Sequence, residues 1–280
     1  MGTQPSPETL RASLPSPSLS LSCRPVDTPV ARAPLPRLDV LKHFDSVFSE
    51  TPATTATDIE DAFRLRYQVY CLDRGFESAE ACPQGMERDS YDAYALHCLL
   101  RERAGTQPIG TVRLVRPAAT PAWFSGLPLA AYAPQESMAD IMRLPAGTTA
   151  EVSRFAITRA AREVLRASSA QVSPKLEGVG EKLLPFMSLG LIRGLVRLSM
   201  QHGVTHWCLA AEPSLLRRLR SFGLHFTNAG PLVDHRGLRQ VCYAELGTLL
   251  ERAEAERPEF WDIMTEGGLL MAGNLAQNAA

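Results

Sequence analysis

The chain has 280 residues, with 45% apolar and 21% charged side chains, which is material for one enzyme-sized core and more than a minimal peptide module needs. Its 29 basic and 30 acidic residues leave a net charge of −1, so no global electrostatic case exists for nucleic acid or an anionic membrane as partner. No stretch of about twenty residues escapes interruption by Arg, Pro or Gly, so no membrane span is expected. The six cysteines, at 23, 71, 82, 98, 208 and 242, form no C-x-x-C pair, and the expectation is reduced thiols in a cytoplasmic protein with no metal site.

Eight of the 21 prolines fall before residue 38, interleaved with Ser and Thr, a composition that cannot build a core. The expected organisation is a disordered extension over residues 1–45, one folded domain over 46–265 and a flexible tail over 266–280. After Asp58, read as an N-cap, Ile59, Phe63, Leu65, Val69, Tyr70 and Leu72 trace an amphipathic helix that stops near Gly75. Residues 95–103 and 109–115 read as two strands of a hairpin, and 151–158 as a third strand after a stretch punctuated by Pro and Gly. Leu183 to Gln201 is apolar at helical spacing and ends against Gly203. A short strand over 205–211, a helix opened by Pro213 and ended by Gly223, and a closing strand over 238–246 complete the order. That order predicts an α/β fold, a mixed central sheet with helices on both faces.

Charged residues stand where solvent alone does not explain them. Arg66 shares a helix face with Tyr70, four residues on. Glu87, Asp89 and Asp92 crowd around Tyr91 in a loop, a cluster that is simply solvated unless basic residues from elsewhere converge on it. Arg113 lies inside an apolar strand, where an unpaired charge costs several kcal/mol. In the third strand, alternation puts Glu151 and Ser153 on one face and Arg154 on the other. His202 and His206 are four apart, but Gly203 breaks the helix between them, so no zinc pair is expected.

Together, Arg66-x-x-x-Tyr70, Phe76, Asp89-x-x-Asp92, Gly110-x-x-Arg113-Leu-Val-x-Pro117 and Glu151-x-Ser153-Arg154-Phe155 resemble the acyl-homoserine-lactone (autoinducer) synthases and their sister N-acyl amino acid synthases, both branches of the GNAT acyltransferase fold. The C-terminal half, with Gly203-Val-Thr-His206, Glu212-Pro-Ser-Leu-Leu-Arg-Arg-Leu219, Gly230-Pro231, His235-x-Gly237-x-Arg239 and Phe260-Trp261, is similar to the acyltransferases associated with PEP-CTERM/exosortase systems. The resemblance implies a GNAT-like fold and places Arg66, Asp89, Asp92, Arg113, Glu151 and Arg154 around the catalytic centre and the acceptor amine. It implies Tyr70, Phe76, Glu87 and Ser153 as substrate-binding positions. The sequence differs from the autoinducer synthases in having Tyr70 for Phe, Phe76 for Trp and a longer run between Arg113 and Glu151.

Acyl transfer to nitrogen suits these residue types. An ammonium has no lone pair, so a carboxylate such as Glu151 must take a proton before the amine attacks a thioester. The developing oxyanion needs donors, which a strand splayed after Glu151 would supply from its backbone. On the donor side, Lys175-Leu-Glu-Gly178-Val-Gly180 echoes a loop whose amides bind a pyrophosphate. Eleven basic against four acidic residues between Arg154 and Arg220, Arg193 and Arg197 among them, suggest a docking surface for an acidic acyl carrier protein. The expected reaction moves a fatty acyl group from acyl carrier protein, or coenzyme A, to the amine of an amino acid or similar small acceptor, without a tightly bound cofactor. Two alternatives are an autoinducer synthase using S-adenosylmethionine and a non-catalytic binding protein of an exosortase system.

Overall fold

A computed structural model describes residues 37–82, 84–161, 163 and 179–272. The chain runs α1 (Arg37–Val47), β1 (Phe48–Pro52), α2 (Ala56–Tyr67) with a π-helical continuation (Gln68–Asp73), β2 (Ala95–Glu102), β3 (Pro108–Val115), α3 (Gln135–Ile141), β4 (Thr149–Ile157), α4 (Val179–Gln201), β5 (His206–Ala211), α5 (Pro213–Ser221), β6 (Thr227–Asp234), β7 (Leu238–Glu245), α6 (Leu246–Glu256) and α7 (Pro258–Thr265). Short 3₁₀ turns stand at Ser90–Tyr94, Trp123–Gly126 and Pro128–Ala131. Seven strands make one sheet in the order β1-β2-β3-β4-β5-β7-β6, antiparallel throughout except for the β4–β5 pair.

Alternation along β3 sets the two layers. Val112 and Leu114 point into the main core beneath α4, while Thr111 and Arg113 point to the opposite face, toward α2. The approach of α4 to the sheet requires small residues. A Cβ on Gly190 would stand 2.6 Å from Leu100 Cδ1, and one on Gly194 would overlap Cys98 Sγ.

Thr55, rather than Asp58, caps α2, its hydroxyl accepting from the Asp58 N–H at 3.1 Å. The helix then widens into the π turn before Gly75, whose φ of +62° ends it. Residues 37–45, expected in the extension, instead lie in α1, whose Phe44 and Val47, with Phe48 just after it, pack on the core; Phe44 is 1% exposed. At the other end, Glu266, expected in the tail, forms an ion pair with Arg197. The Pro- and Ser-rich stretch before residue 37, Lys175 and Gly178 lie outside the described residues.

The parallel β4–β5 pair ends early. It holds Thr149 to His206, Ala150 to Trp207 and Glu151 to Cys208, and beyond Glu151 the two strands part. Among the described residues, no helix is long and apolar enough to cross a membrane.

Candidate active site

Three guanidinium groups and three carboxylates interlock on the α2 face of the sheet. Arg66 donates from Nε to Glu87 at 2.5 Å and from Nη1 to Asp92 at 2.7 Å. Arg113 donates from Nη1 to Asp89 at 2.6 Å and to Asp92 at 2.8 Å, and from Nε to the Ser153 hydroxyl at 3.0 Å. Arg154 donates from Nη2 to Glu87 at 2.8 Å and to Asp89 at 3.1 Å. Arg66 and Arg113 are fully buried, so these pairs are what makes their charge tolerable there. Asp89 also caps the turn at Ser90–Tyr94 and accepts from the Tyr91 N–H, while Asp92 accepts from the Asp89 N–H; local hydrogen bonds thus pre-shape the acidic loop.

Burial pushes the Glu87 and Asp92 carboxyls up, but their guanidinium partners win and hold both at about 2. His97, pairing across from Arg113 on β2, is buried beside the cluster with no hydrogen-bond partner on either ring nitrogen among the described residues. Burial and then Arg66 lower it to about 4, so it is neutral.

Sequence alternation assigned Arg154 to the face opposite Ser153, and the structure corrects this. Thr111 pairs with Ala156 but Arg113 with Ser153, so β4 carries one extra residue between them. Arg154 takes a φ of +51° at that bulge, which breaks the alternation and turns its side chain into the same cluster that Ser153 joins through Arg113. A non-glycine residue in that conformation is strained, and strain of this kind collects at functional sites.

Glu151 differs from the other carboxylates. It is 2% exposed and forms no ion pair among the described residues; its hydrogen bond is the Leu129 N–H, 2.8 Å from Oε2. Burial, opposed chiefly by that N–H, pushes it up to about 8, which makes it the one carboxyl of the site poised to exchange a proton near neutrality. Leu129 belongs to the turn Pro128–Ala131, inside the stretch that the sequence marked only by its Pro and Gly.

Three spaces lie along this part of the sheet, two of them lined by Arg154. Where β4 and β5 part, an apolar notch of about 110 Å³ is lined by Val152, Phe155, Ile192, Trp207, Leu219 and Leu224. A second cavity, about 320 Å³ and polar, holds Glu87, Asp89, Tyr91 and Arg154 on one side and Tyr132, His235 and Arg236 on the other. The third, a cleft of about 420 Å³, runs from Tyr70, Phe76 and Phe155 out to Arg74, Arg159 and Arg218. Tyr70, Phe155 and Arg239 line both notch and cleft, so those two adjoin.

The residues picked from sequence divide accordingly. Arg66, Glu87, Asp89, Asp92, Arg113, Ser153 and Arg154 form one network with Glu151 beside it, whereas Tyr70 and Phe76 stand in the cleft, Tyr70 under the Arg154 guanidinium at 5.4 Å. Arg193 and Arg197, expected to bind the donor, line none of these three spaces. Arg193 is 4% exposed and bonds Asp45 and Glu50, and Arg197 pairs with Glu50 and Glu266, a network between α4, α1 and the C-terminal segment. Periodicity did not show that these two arginines sit on the packed side of α4. Gly180 lies in the first turn of α4. Sequence reading missed the roles of Leu129, Tyr132, His235, Arg236 and Arg239; the last three belong to a stretch whose spacing had been noted without a task.

Residues 65–168 match the family described as acetyltransferase (GNAT) domain. Among solved structures, the CoA-dependent acyl-homoserine lactone synthase BjaI, determined with SAM and isopentyl-CoA, is 18% identical, with 79% of this chain and 88% of that chain covered at a TM-score of 0.52. FeeM, an N-acyl amino acid synthase from uncultured soil microbes, is 18% identical over 73% of this chain and 94% of that one, at a TM-score of 0.46. No curated protein matches the chain. With an acetyltransferase (GNAT) domain match over residues 65–168, a mixed seven-stranded sheet and a splayed parallel pair at its centre, the chain has the GNAT fold.

Proposed function

We propose that the protein transfers a fatty acyl group from the thioester of an acyl carrier protein, or of coenzyme A, to the amine of an amino acid or similar small acceptor. The observation that carries this reading is Glu151: a buried carboxyl without an ion pair among the described residues, placed where β4 and β5 part, with Val152 beside it lining the apolar notch and the turn that bonds it lining the polar cavity. Ionised, it takes a proton from the acceptor ammonium. The amine then attacks the thioester carbonyl, and the β4 backbone beyond Glu151, which no longer pairs with β5, offers N–H groups to the oxyanion. The C–N bond forms and the C–S bond breaks. The leaving thiolate, with an ordinary thiol pKa of about 8.5, departs with its electron pair and takes the second proton from the nitrogen, so that the products are the neutral amide and the free thiol, and Glu151 returns its proton to solvent.

The donor's acyl chain fits the apolar notch, and its arm fits the adjoining cleft, where Arg74, Arg159 and Arg218 are exposed at the outer end. Those arginines take the place of Arg193 and Arg197 in the docking surface for an acidic carrier, together with Arg217 and Arg220 on α5. The place in a PEP-CTERM/exosortase system rests on the C-terminal residues alone, and a cytoplasmic location on the cysteine spacing.

Thiol release is the test, from acyl carrier protein and from acyl coenzyme A, each with pooled amino acids and S-adenosylmethionine, with mass spectrometry of the products. Amine-dependent release giving N-acyl amino acid masses is the expected result. Lactone masses with S-adenosylmethionine would establish the autoinducer synthase instead, and no release from folded protein would leave a binding protein.

A further inference from the structure

The β6–β7 hairpin tip is held over the polar cavity by contacts that the acyl-transfer chemistry does not itself require. The Tyr132 and His235 rings stack at 3.8 Å, with planes 4° apart. Arg239 donates from Nε to the His235 carbonyl at 3.2 Å and from Nη2 to the Arg236 carbonyl at 3.0 Å. Arg236 itself stands at a φ of +55°, ahead of Gly237. Of the three non-glycine residues with positive φ, two, Arg154 and Arg236, line this one cavity, so the backbone is strained on both of its walls among the described residues.

The charges of the cavity are graded. Deep inside, Glu87, Asp89 and Asp92 are taken up by Arg66, Arg113 and Arg154. At the rim, Arg236 donates to Glu77 at 2.8 Å, a carboxylate that Arg154 also approaches at 3.5 Å, while the other rim cation, Arg88, has only the Gln84 amide at 3.1 Å. Arg236 and the deeper Arg154 therefore share the Glu77 carboxylate, and Arg236 is one-third exposed, so its pair with Glu77 opens to solvent and is exchangeable. The wall opposite, by contrast, carries Pro128, Ala131 and Tyr132, from the turn whose Leu129 N–H holds the Glu151 carboxyl.

We propose that Arg236 determines acceptor specificity by binding a carboxylate carried on the amine, with the ligand replacing Glu77, so that the acceptor lies with its amine toward Glu151 and its carboxylate at the rim. This rests on the acyltransferase reading above and adds the acceptor's class: an amino acid with a free carboxylate. An arginine suits the task because its planar fork matches a carboxylate with two parallel hydrogen bonds.

The test compares a pool of L-amino acids with the pool of their C-terminal amides as acceptors, using acyl carrier protein and coenzyme A donors and counting products by mass. The quantity read is the acid-to-amide ratio of kcat/KM within each variant, so the intrinsic difference between the two amines cancels. Arg236→Gln lowers the ratio at least tenfold, Arg236→Lys keeps most of it, and Glu77→Gln, which removes the competing carboxylate, raises it. Acyl transfer with an unchanged ratio in Arg236→Gln overturns this inference and leaves the acyltransferase reading standing. No transfer by wild type to either pool overturns both. If Arg236→Gln does not fold, the Glu77→Gln ratio decides: a rise supports the inference and no change overturns it.

Discussion

At Arg113, a strand interior carries a charge that water cannot reach, and Asp89, Asp92 and Ser153 between them take up two of its nitrogens. Removing such a partner leaves Asp89 with Arg154 and Asp92 with Arg66 as their remaining guanidinium partners, one cation short of balance at a buried face, and a broken buried pair costs about 3–5 kcal/mol. Arg113→Met is therefore expected to lose stability on that scale in urea unfolding. Adding Asp92→Asn should recover part of the loss, because the two residues share one network; strict additivity of the two changes would count against it. The chemical identity of these residues was legible in the sequence, since an arginine in an apolar strand and an acidic loop each demand a partner. Their pairing was not, because it depends on loop closure across the 21 residues between Arg66 and Glu87 and the 65 between Arg154 and Asp89. Arg154 shows the limit most plainly. A period of two is a rule for regular strands, and one inserted residue cancels it.

Elements with strong periodicity were visible in the sequence, α4 and the β2–β3 pair above all, with ends shifted by a few residues. The strands β1 and β6 were not. Both are edge strands paired on one side only, and Pro52, Gly230 and Pro231 obscure the alternation that would have marked them. The helices α1, α6 and α7 were likewise absent from the reading, though they close the core below α4. The parting of β4 from β5 is a property of the pair that neither strand shows alone, and it opens the notch where Leu219 and Leu224 face Trp207. Leu219→Ala is expected to extend the longest accepted acyl chain by about three carbons, the number removed, while costing about 2–5 kcal/mol of stability. Rates measured across a series of acyl lengths decide it, and an unshifted optimum would place the chain elsewhere.

Across the whole molecule, the same groups give stability two opposed pH limbs. Glu87 and Asp92, held at about 2 against ordinary values of 4.5 and 3.8, stabilise the fold fully above those ordinary values, and their contribution is lost as pH falls through 2. Glu151 runs the other way. Raised from 4.5 to about 8, it keeps a proton that the unfolded chain has released, so its contribution is full below 4.5 and disappears as pH rises through 8. The melting temperature is expected to peak near about pH 5 and to decline toward pH 8, and Glu151→Gln should flatten the alkaline limb and melt higher than wild type at pH 8. An equally steep decline in the variant would show that Glu151 is not what destabilises the fold there. A residue whose removal stabilises the protein while abolishing turnover is what a base kept in an unfavourable site looks like.

The pH dependence of kcat/KM, compared for wild type and Glu151→Gln with two acceptors whose amines differ in pKa, tests the proton-acceptor role most directly. Wild type should show a rising limb near pH 8 that stays in place when the acceptor changes, because it belongs to Glu151 in the free protein. In Glu151→Gln that limb should vanish and the rate should fall by about 10²- to 10⁴-fold. A variant that keeps the wild-type rate, or a limb that moves with the acceptor amine, would contradict the account by showing that the proton leaves without Glu151.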